Sequence, residues 1–419
     1  MTVAARLDAA FPASELSWKG WQYAAFRVAL LYSAFWIIGL YLPLGGLLSL
    51  AIGARYTAVM HAALPNPAQG EPLLNYLVMY AELAAALLLA LGWSVLERRG
   101  SFTRRLFWPV HTLLRYYLAS VLFIYGWDKV FLMQMPAPTL KDALTPSGEL
   151  SQMGLLWQTV GASPLFQAVG GWAEVIPGVL LLFRRTALPG ALLSAVVMGF
   201  VFLLNLSFGV FVKIGSGHYF VFSLLLLTPY LGNLLRLLGN RPTQPLALPA
   251  APPERWLRWA GRLLRVAALY PVAWLPLSMN LAFTAKWRPI PAASQLSGVY
   301  EVVSDSRPAT QRLDMDRRWS RVALDSTTYQ GKLPFFRIVR VNRELTQGRY
   351  TDDPAHQRLT LSSSAALTLD YRRQPDGTLL LTGREFGQPF TAQLRPAGRE
   401  ATRLLTERFG WVIDLPDNR

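Results

Sequence analysis

The stretch LLRVAALYPVAWLPLSMNLAFTAKWRPIPAASQLSGVYEVVS, Leu263–Ser304, holds the change of pattern on which the fold turns. As far as Phe283 it is an almost unbroken apolar run of the length, about 20 residues, that a helix needs to cross about 30 Å of hydrocarbon. Pro271 and Pro276 fall inside the run and predict a kink, since proline removes a helical hydrogen bond and crowds the preceding turn. Beyond Trp287 the pattern becomes GVYEVV (Gly298–Val303), alternating and β-branched, which reads as a strand. The chain is thus a membrane part followed by a β-rich part, divided near residue 286.

Six further apolar runs precede this one: Ala24–Leu50, Leu73–Leu96, Trp108–Met133, Leu165–Phe183, Ala187–Phe208 and His218–Leu238. About seven transmembrane helices are therefore expected. Composition agrees: of 419 residues 52% are hydrophobic and only 16% charged, where a soluble chain carries about 25% charged residues. The net charge of +16 would suggest nucleic acid in a soluble protein. Here many of the basic residues sit in short loops between spans, where they set topology and meet anionic lipid headgroups instead.

Those loops orient the chain. With the N-terminus inside, the inner set holds Arg6, Lys19, Arg98, Arg99, Arg104, Arg105, Arg184, Arg185, Arg236, Arg241, Arg255, Arg258 and Arg262. The outer loops hold only Arg55, Lys141 and Lys213, with Lys129 at a span end. Positive residues stay inside, so an odd number of spans places everything after Trp287 outside the cytoplasm. No compact signal peptide precedes the first span, and Gly239–Pro253 reads as a Pro-rich cytoplasmic linker.

There is no cysteine, which excludes thiolate metal sites and dithiol relays. His61, His111, His218 and His356 lack metal-ligand spacing, and no phosphate loop, nucleophile elbow or His-Glu-x-x-His motif is present. No metal or cofactor is evident. The polar residues inside the spans are the remaining candidates, because ionisable groups in hydrocarbon face the protein interior with a partner. Arg115 and Glu174 lie at matching depth by residue count from the expected inner ends, which predicts an ion pair. Asp128, Lys129, Asn205, Lys213 and His218 fall near the outer ends and predict a second group, lining an outward-opening pocket or an interfacial fringe. Glu82, mid-span in the second helix, fits either group.

RYYLASVLFIYGWDK (Arg115–Lys129) followed by WAEVIPGVLLLFRR (Trp172–Arg185) resembles the DoxX family of four-helix bacterial membrane proteins. The family's early Arg, its Gly-x-x-Lys and its Glu in the next helix match Arg115, Gly126, Lys129 and Glu174. The resemblance covers residues 108–238 and implies a hydrophobic ligand, a quinone or lipid, or a respiratory redox subunit as partner. Absence of cysteine departs from the thiol-based quinone reductases of the wider group. A weaker similarity is to the membrane domain related to vitamin K-dependent carboxylase. It implies instead a membrane-embedded enzyme, and carries over no catalytic residue; Lys129, Asp128 and His218, grouped by depth near the outer surface, are the candidate acid–base groups for such an activity.

The division expected is residues 1–107 with two helices, 108–238 the DoxX-like bundle, 239–288 the linker and seventh helix, and 289–419 a β domain. In the last, segments 297–304, 319–324, 335–341, 358–361, 366–371, 378–381 and 390–394 read as short antiparallel strands, with Pro375-Asp376-Gly377 a turn. Leu296–Tyr300 is similar to the Gly-x-aromatic opening of lipocalin-type barrels. An up-and-down barrel with a filled core is therefore expected, closed by the aromatics of Arg408–Arg419. Arg307, Arg312, Arg317, Arg318, Arg321, Arg372 and Arg373 are expected on its surface. The location implied is a bacterial inner membrane, with the β domain periplasmic.

Overall fold

The computed structural model describes residues 19–41, 73–98, 100–245, 255–287, 290–291, 294–328, 334–364 and 366–398. They form an α-helical membrane bundle and a closed eight-stranded antiparallel barrel. The chain divides into two units, residues 1–128 with 170–279 and residues 129–169 with 280–419. The last third of the expected first span, residues 246–253 of the Pro-rich linker and the C-terminal aromatics lie outside the described residues.

The helices are α1 (Gly20–Tyr41), α2 (Leu73–Leu96), α3 (Ser101–Val130), α4 (Leu140–Ala143), α5 (Gln152–Gly161), α6 (Pro164–Leu182), α7 (Ala187–Ser207), α8 (Lys213–Leu227), α9 (Leu231–Leu238), α10 (Arg255–Leu269) and α11 (Leu275–Trp287). Among the described residues, five stretches are long and apolar enough to cross a membrane: Asn75–Leu96, Pro164–Leu182, Arg184–Ser207, Lys213–Leu238 and Arg258–Lys286. Their outward leucines and valines, such as Leu88, Val196 and Leu263, are exposed on the protein and at home in lipid. Between α10 and α11 the residues Tyr270–Trp274 form a π-helical turn that contains Pro271, one of the two prolines expected to perturb this span.

Helix α3 starts at Ser101, not at Trp108, and encloses Pro109, Arg104 and Arg105. Glu97 explains the early start. Its carboxylate accepts the backbone N–H groups of Phe102 (2.5 Å) and Thr103 (3.1 Å), which the first turn of a helix cannot satisfy internally. Gly100 makes the tight entry at φ +64°, where a Cβ would stand 2.5 Å from the Tyr23 ring.

The antiparallel register of α3 and α6 is set by glycine. A Cβ on Gly126 would come 2.7 Å from Val175 Cγ2 and 3.0 Å from the Gly171 carbonyl, and one on Gly178 would meet Leu122 and Phe123. One end further on, the Tyr116 hydroxyl donates to the Leu182 carbonyl (3.4 Å). Such close backbone approach is what small residues allow between membrane helices.

In the second unit the strands are β1 (Ile290–Pro291), β2 (Gly298–Asp305), β3 (Trp319–Asp325), β4 (Thr327–Thr328), β5 (Phe335–Arg340), β6 (Leu345–Asp353), β7 (Arg358–Ser362), β8 (Ala366–Arg373), β9 (Leu379–Glu385) and β10 (Gln388–Pro396). β2, β3 and β5 to β10 pair with their sequence neighbours, and β10 returns to β2, which closes an up-and-down barrel. Every expected strand is present. β6 was not read from the sequence, because LTQGRYTDD alternates poorly and its Gly348 reads as a break. In the barrel Gly348 is required: a Cβ there would lie 2.0 Å from the Ser362 carbonyl. The interior is filled by Tyr300, Trp319, Phe336, Tyr350, Phe390 and a set of leucines, each at most 6% exposed. Tyr300, of the Gly-x-aromatic opening, anchors by donating its hydroxyl to the Leu296 carbonyl (3.0 Å).

The segment between α3 and α6 belongs to this unit. Leu144 is buried with Val299 and Ala323 on the barrel's outer wall, beside Leu140 and Ala143 of α4. Arg337 donates to the Thr145 hydroxyl.

Candidate functional site

Among the described residues of the helical unit, two polar layers and a cavity stand out. The first layer centres on His218, 7% exposed in α8. Its Nδ1 lies 2.6 Å from the Ile214 carbonyl, and a carbonyl can only accept, so Nδ1 carries a proton. In the neutral ring Nε2 then accepts the Tyr32 hydroxyl of α1 at 2.6 Å. Trp36, one turn along α1, stacks on the imidazole at 3.7 Å and 8°, and its indole N–H donates to Tyr117 (3.1 Å). Glu82 of α2 is the charged neighbour of Tyr32. Glu82 thus acts on the His218 group electrostatically, through Tyr32, which sequence reasoning did not single out.

Asn205 and Lys213 do not share this group. Asn205 donates to Ser216 (2.9 Å) and Lys213 to the Val210 carbonyl (2.8 Å), both within the α7–α8 hairpin. Ser216 and His218 are two residues apart, about 200° around a helix, so they face opposite sides. Asp128 and Lys129 are half-buried at the end of α3, and each has interactions of its own.

The second layer corrects the expected Arg115–Glu174 pair. Both residues are buried, at 4% and 1% exposure, yet no ion pair joins them. The register is the reason. Gly126 sits level with Gly171 and Val175, and Tyr116 with Leu182. Arg115 is thus some eleven residues of helix, about 16 Å, from the level of Glu174. Counting depth from span ends failed because α3 begins at Ser101, about two turns before the Trp108 that hydropathy indicated. Arg115 instead lies over the Tyr116 ring (5.4 Å), and Tyr230 and Arg184 face it.

The cavity, about 310 Å³, lies between α1, α3 and the α8–α9 region. Its walls include Trp21, Phe26, Ala29, Leu30, Phe107, Leu114 and Pro229, with Ser33, His111 and Thr228 as polar points. His111 is buried with Nε2 3.1 Å from the Leu226 carbonyl. Mostly apolar walls with a few fixed polar groups suit the body and head of a small amphipath.

Beside these stands a structural lock that the sequence reading passed over. Arg27 of α1, 3% exposed, donates to Thr103 Oγ1 (2.9 Å), Ser94 Oγ (2.9 Å), the Glu97 carbonyl (2.8 Å) and Glu97 Oε2 (2.9 Å). Glu97 also accepts from Trp93 Nε1 and the Thr103 hydroxyl. Burial alone would raise its pKa, but the hydrogen bonds from Thr103, Trp93 and Arg27 bring it down to about 2. Arg27 lies within the first expected span, so the rule that drew attention to Arg115 could have found it.

In the barrel, Arg307 is not on the surface as expected. Its guanidinium is 9% exposed and bridges Asp305 Oδ2 and Glu385 Oε2, both at 2.5 Å. Arg340 bonds Glu385 Oε1 (2.5 Å), and Trp319 donates its indole N–H to Oε2 (3.0 Å). Burial would raise the Asp305 pKa, but bonds from Arg307 and the Trp319 N–H hold it below the usual carboxylate range. Two carboxylates and two guanidiniums thus neutralise one another and plug one end of the barrel.

Comparison with protein-family models, with curated proteins and with solved structures gave no match, so the site is read from its own chemistry.

Proposed function

We propose that this chain is a DoxX-like protein of a bacterial inner membrane that binds a hydrophobic ligand, a quinone or a lipid, within its helical bundle. The observation carrying the proposal is the apolar cavity between α1, α3 and α8–α9, with His111 and Ser33 as hydrogen-bonding points in its wall. A respiratory redox subunit is the partner that the quinone version of this reading calls for. The acid–base reading of Lys129, Asp128 and His218 has less support, since both ring nitrogens of His218 are engaged and the ring lies under Trp36.

We further propose that the lipocalin-like barrel is periplasmic. The distribution of arginine among loops supports this. So does the packing of α4, from the loop that charge counting puts outside, on the barrel wall.

The test is native mass spectrometry and quinone extraction on full-length protein purified in mild detergent. A stoichiometric quinone or lipid is expected, and Ala29→Trp, which fills the cavity, should lower its retention at least tenfold. Retention unchanged by Ala29→Trp, or protein that never carries a ligand, refutes the reading. Cysteine placed at Arg343 or Glu149 of this cysteine-free chain should react with an impermeant maleimide from the periplasmic side.

A further inference from the structure

The polar points of the cavity between α1, α3 and α8–α9 are mostly acceptors. Among the described residues lining it, Ser33 and His111 are buried polar side chains, at 6% and 7% exposure. The Leu226 carbonyl fixes the imidazole. It stands 3.1 Å from Nε2 and can only accept, so Nε2 carries the ring's proton. In the neutral ring Nδ1 is then a bare acceptor, and no donor among the described residues meets it. The Ser33 hydroxyl also lacks a hydrogen-bond partner among the described residues, whereas Ser94, Ser194 and Ser223 of other helices return theirs to the preceding turn. At the rim, the Thr228 hydroxyl donates to the Leu225 carbonyl (2.7 Å), which leaves only its lone pairs to a ligand.

An acceptor buried without a donor costs free energy that a ligand restores by supplying one. We propose that the cavity selects an amphipath whose head carries a hydroxyl, which donates to His111 Nδ1 and accepts from Ser33 Oγ. This rests on the ligand reading proposed above and narrows it. A quinone offers only carbonyl oxygens, which would face Nδ1 lone pair to lone pair, whereas a reduced quinol or a lipid alcohol offers the O–H.

The chemistry shared by those two sources is a hydroxyl on an apolar body. A phenolic head is favoured by the walls. The Phe26 and Phe107 rings lie 5.4 Å apart and Phe107 and His111 5.9 Å, centre to centre, so aromatic groups surround the polar points.

Full-length protein, delipidated in a mild uncharged detergent, would be titrated with para-nonylphenol, its methyl ether para-nonylanisole, and dodecanol, with binding read by native mass spectrometry. The phenol should bind at least tenfold more tightly than the ether, or about 1.4 kcal/mol, the scale of one neutral hydrogen bond. His111→Phe, which keeps a ring and removes the acceptor, should bring the two within twofold. Ser33→Ala should weaken both by a similar factor and keep their ratio, since either oxygen can accept from the serine. If His111→Phe does not fold, the wild-type ratio and its persistence in Ser33→Ala carry the test. Dodecanol binding more tightly than the phenol, with a matching loss in His111→Phe, supports the hydroxyl preference and makes the source a lipid alcohol; the reverse order supports a quinol. Phenol and ether binding equally, with both excluded by Ala29→Trp, leaves the cavity reading standing and overturns the hydroxyl preference. A tenfold preference that survives His111→Phe overturns it as well. Failure of every probe to bind, or binding unmoved by Ala29→Trp, refutes the cavity reading itself and this inference with it.

Discussion

Removing Arg27 and removing Glu97 should cost different amounts, although they form one ion pair. In Arg27→Met the carboxylate of Glu97 keeps Trp93 Nε1, the Thr103 hydroxyl and the N–H groups of Phe102 and Thr103. Ser94 also keeps its bond to the Ala90 carbonyl. Methionine retains most of the arginine's apolar packing, so the loss should sit at the low end for a broken buried pair, about 3 kcal/mol. In Glu97→Ala the buried guanidinium keeps only two hydroxyls and one carbonyl, and the first turn of α3 loses its acceptor. That loss should reach the upper end, about 5 kcal/mol, with the capping contribution included. Thermal unfolding in mild detergent, followed by tryptophan fluorescence, would rank the two. The double mutant should be less destabilised than the sum of the singles by about 2 kcal/mol, since neighbours in one network do not add. Equal losses, a reversed order, or additivity within about 0.5 kcal/mol would refute the account of α1, α2 and α3 as locked through Glu97.

Acidification tests the same carboxylate. Its pKa falls from 4.5 to about 2 on folding, so its contribution is complete above pH 4.5 and is lost as pH drops toward 2. Asp305, also lowered, adds a loss of the same sign, and Glu97→Gln should flatten the curve below pH 4.5. Gly126→Ala should destabilise by about 1–3 kcal/mol through overpacking against Val175, and adding Val175→Ala should recover part of it. If the second change makes matters worse, the α3–α6 register is wrong. Glu385→Gln should cost about 3 kcal/mol and raise hydrogen exchange in β3, β5 and β9, because Arg307 and Arg340 lose their shared charge. Leu144→Asp should release α4 from the barrel wall, seen as faster proteolysis between residues 131 and 151 with the barrel core still protected.

Features that depend on local pattern are legible in the chain before it folds. Runs of apolar residues long enough for a bilayer mark the helical membrane part, and Pro271 marks the break in regular α-helix between α10 and α11. Alternation, with Pro375-Asp376-Gly377 and its like, points to a β domain, and every barrel strand except β6 falls where expected, the two-residue strands β1 and β4 lying outside the barrel. Membership of the polar sites was different, because it depends on rotation and register between helices far apart in sequence. Arg115 and Glu174 were correctly read as buried, but the close approach at Gly126 slides them out of reach of each other. His218 was named without its partners, since Tyr32 and Trp36 come from a helix nearly two hundred residues away. Arg307 looked like one surface arginine among many until barrel closure brought β9 and its Glu385 alongside. A charge's partner is chosen by distances of a few ångströms, and only the packed chain sets those.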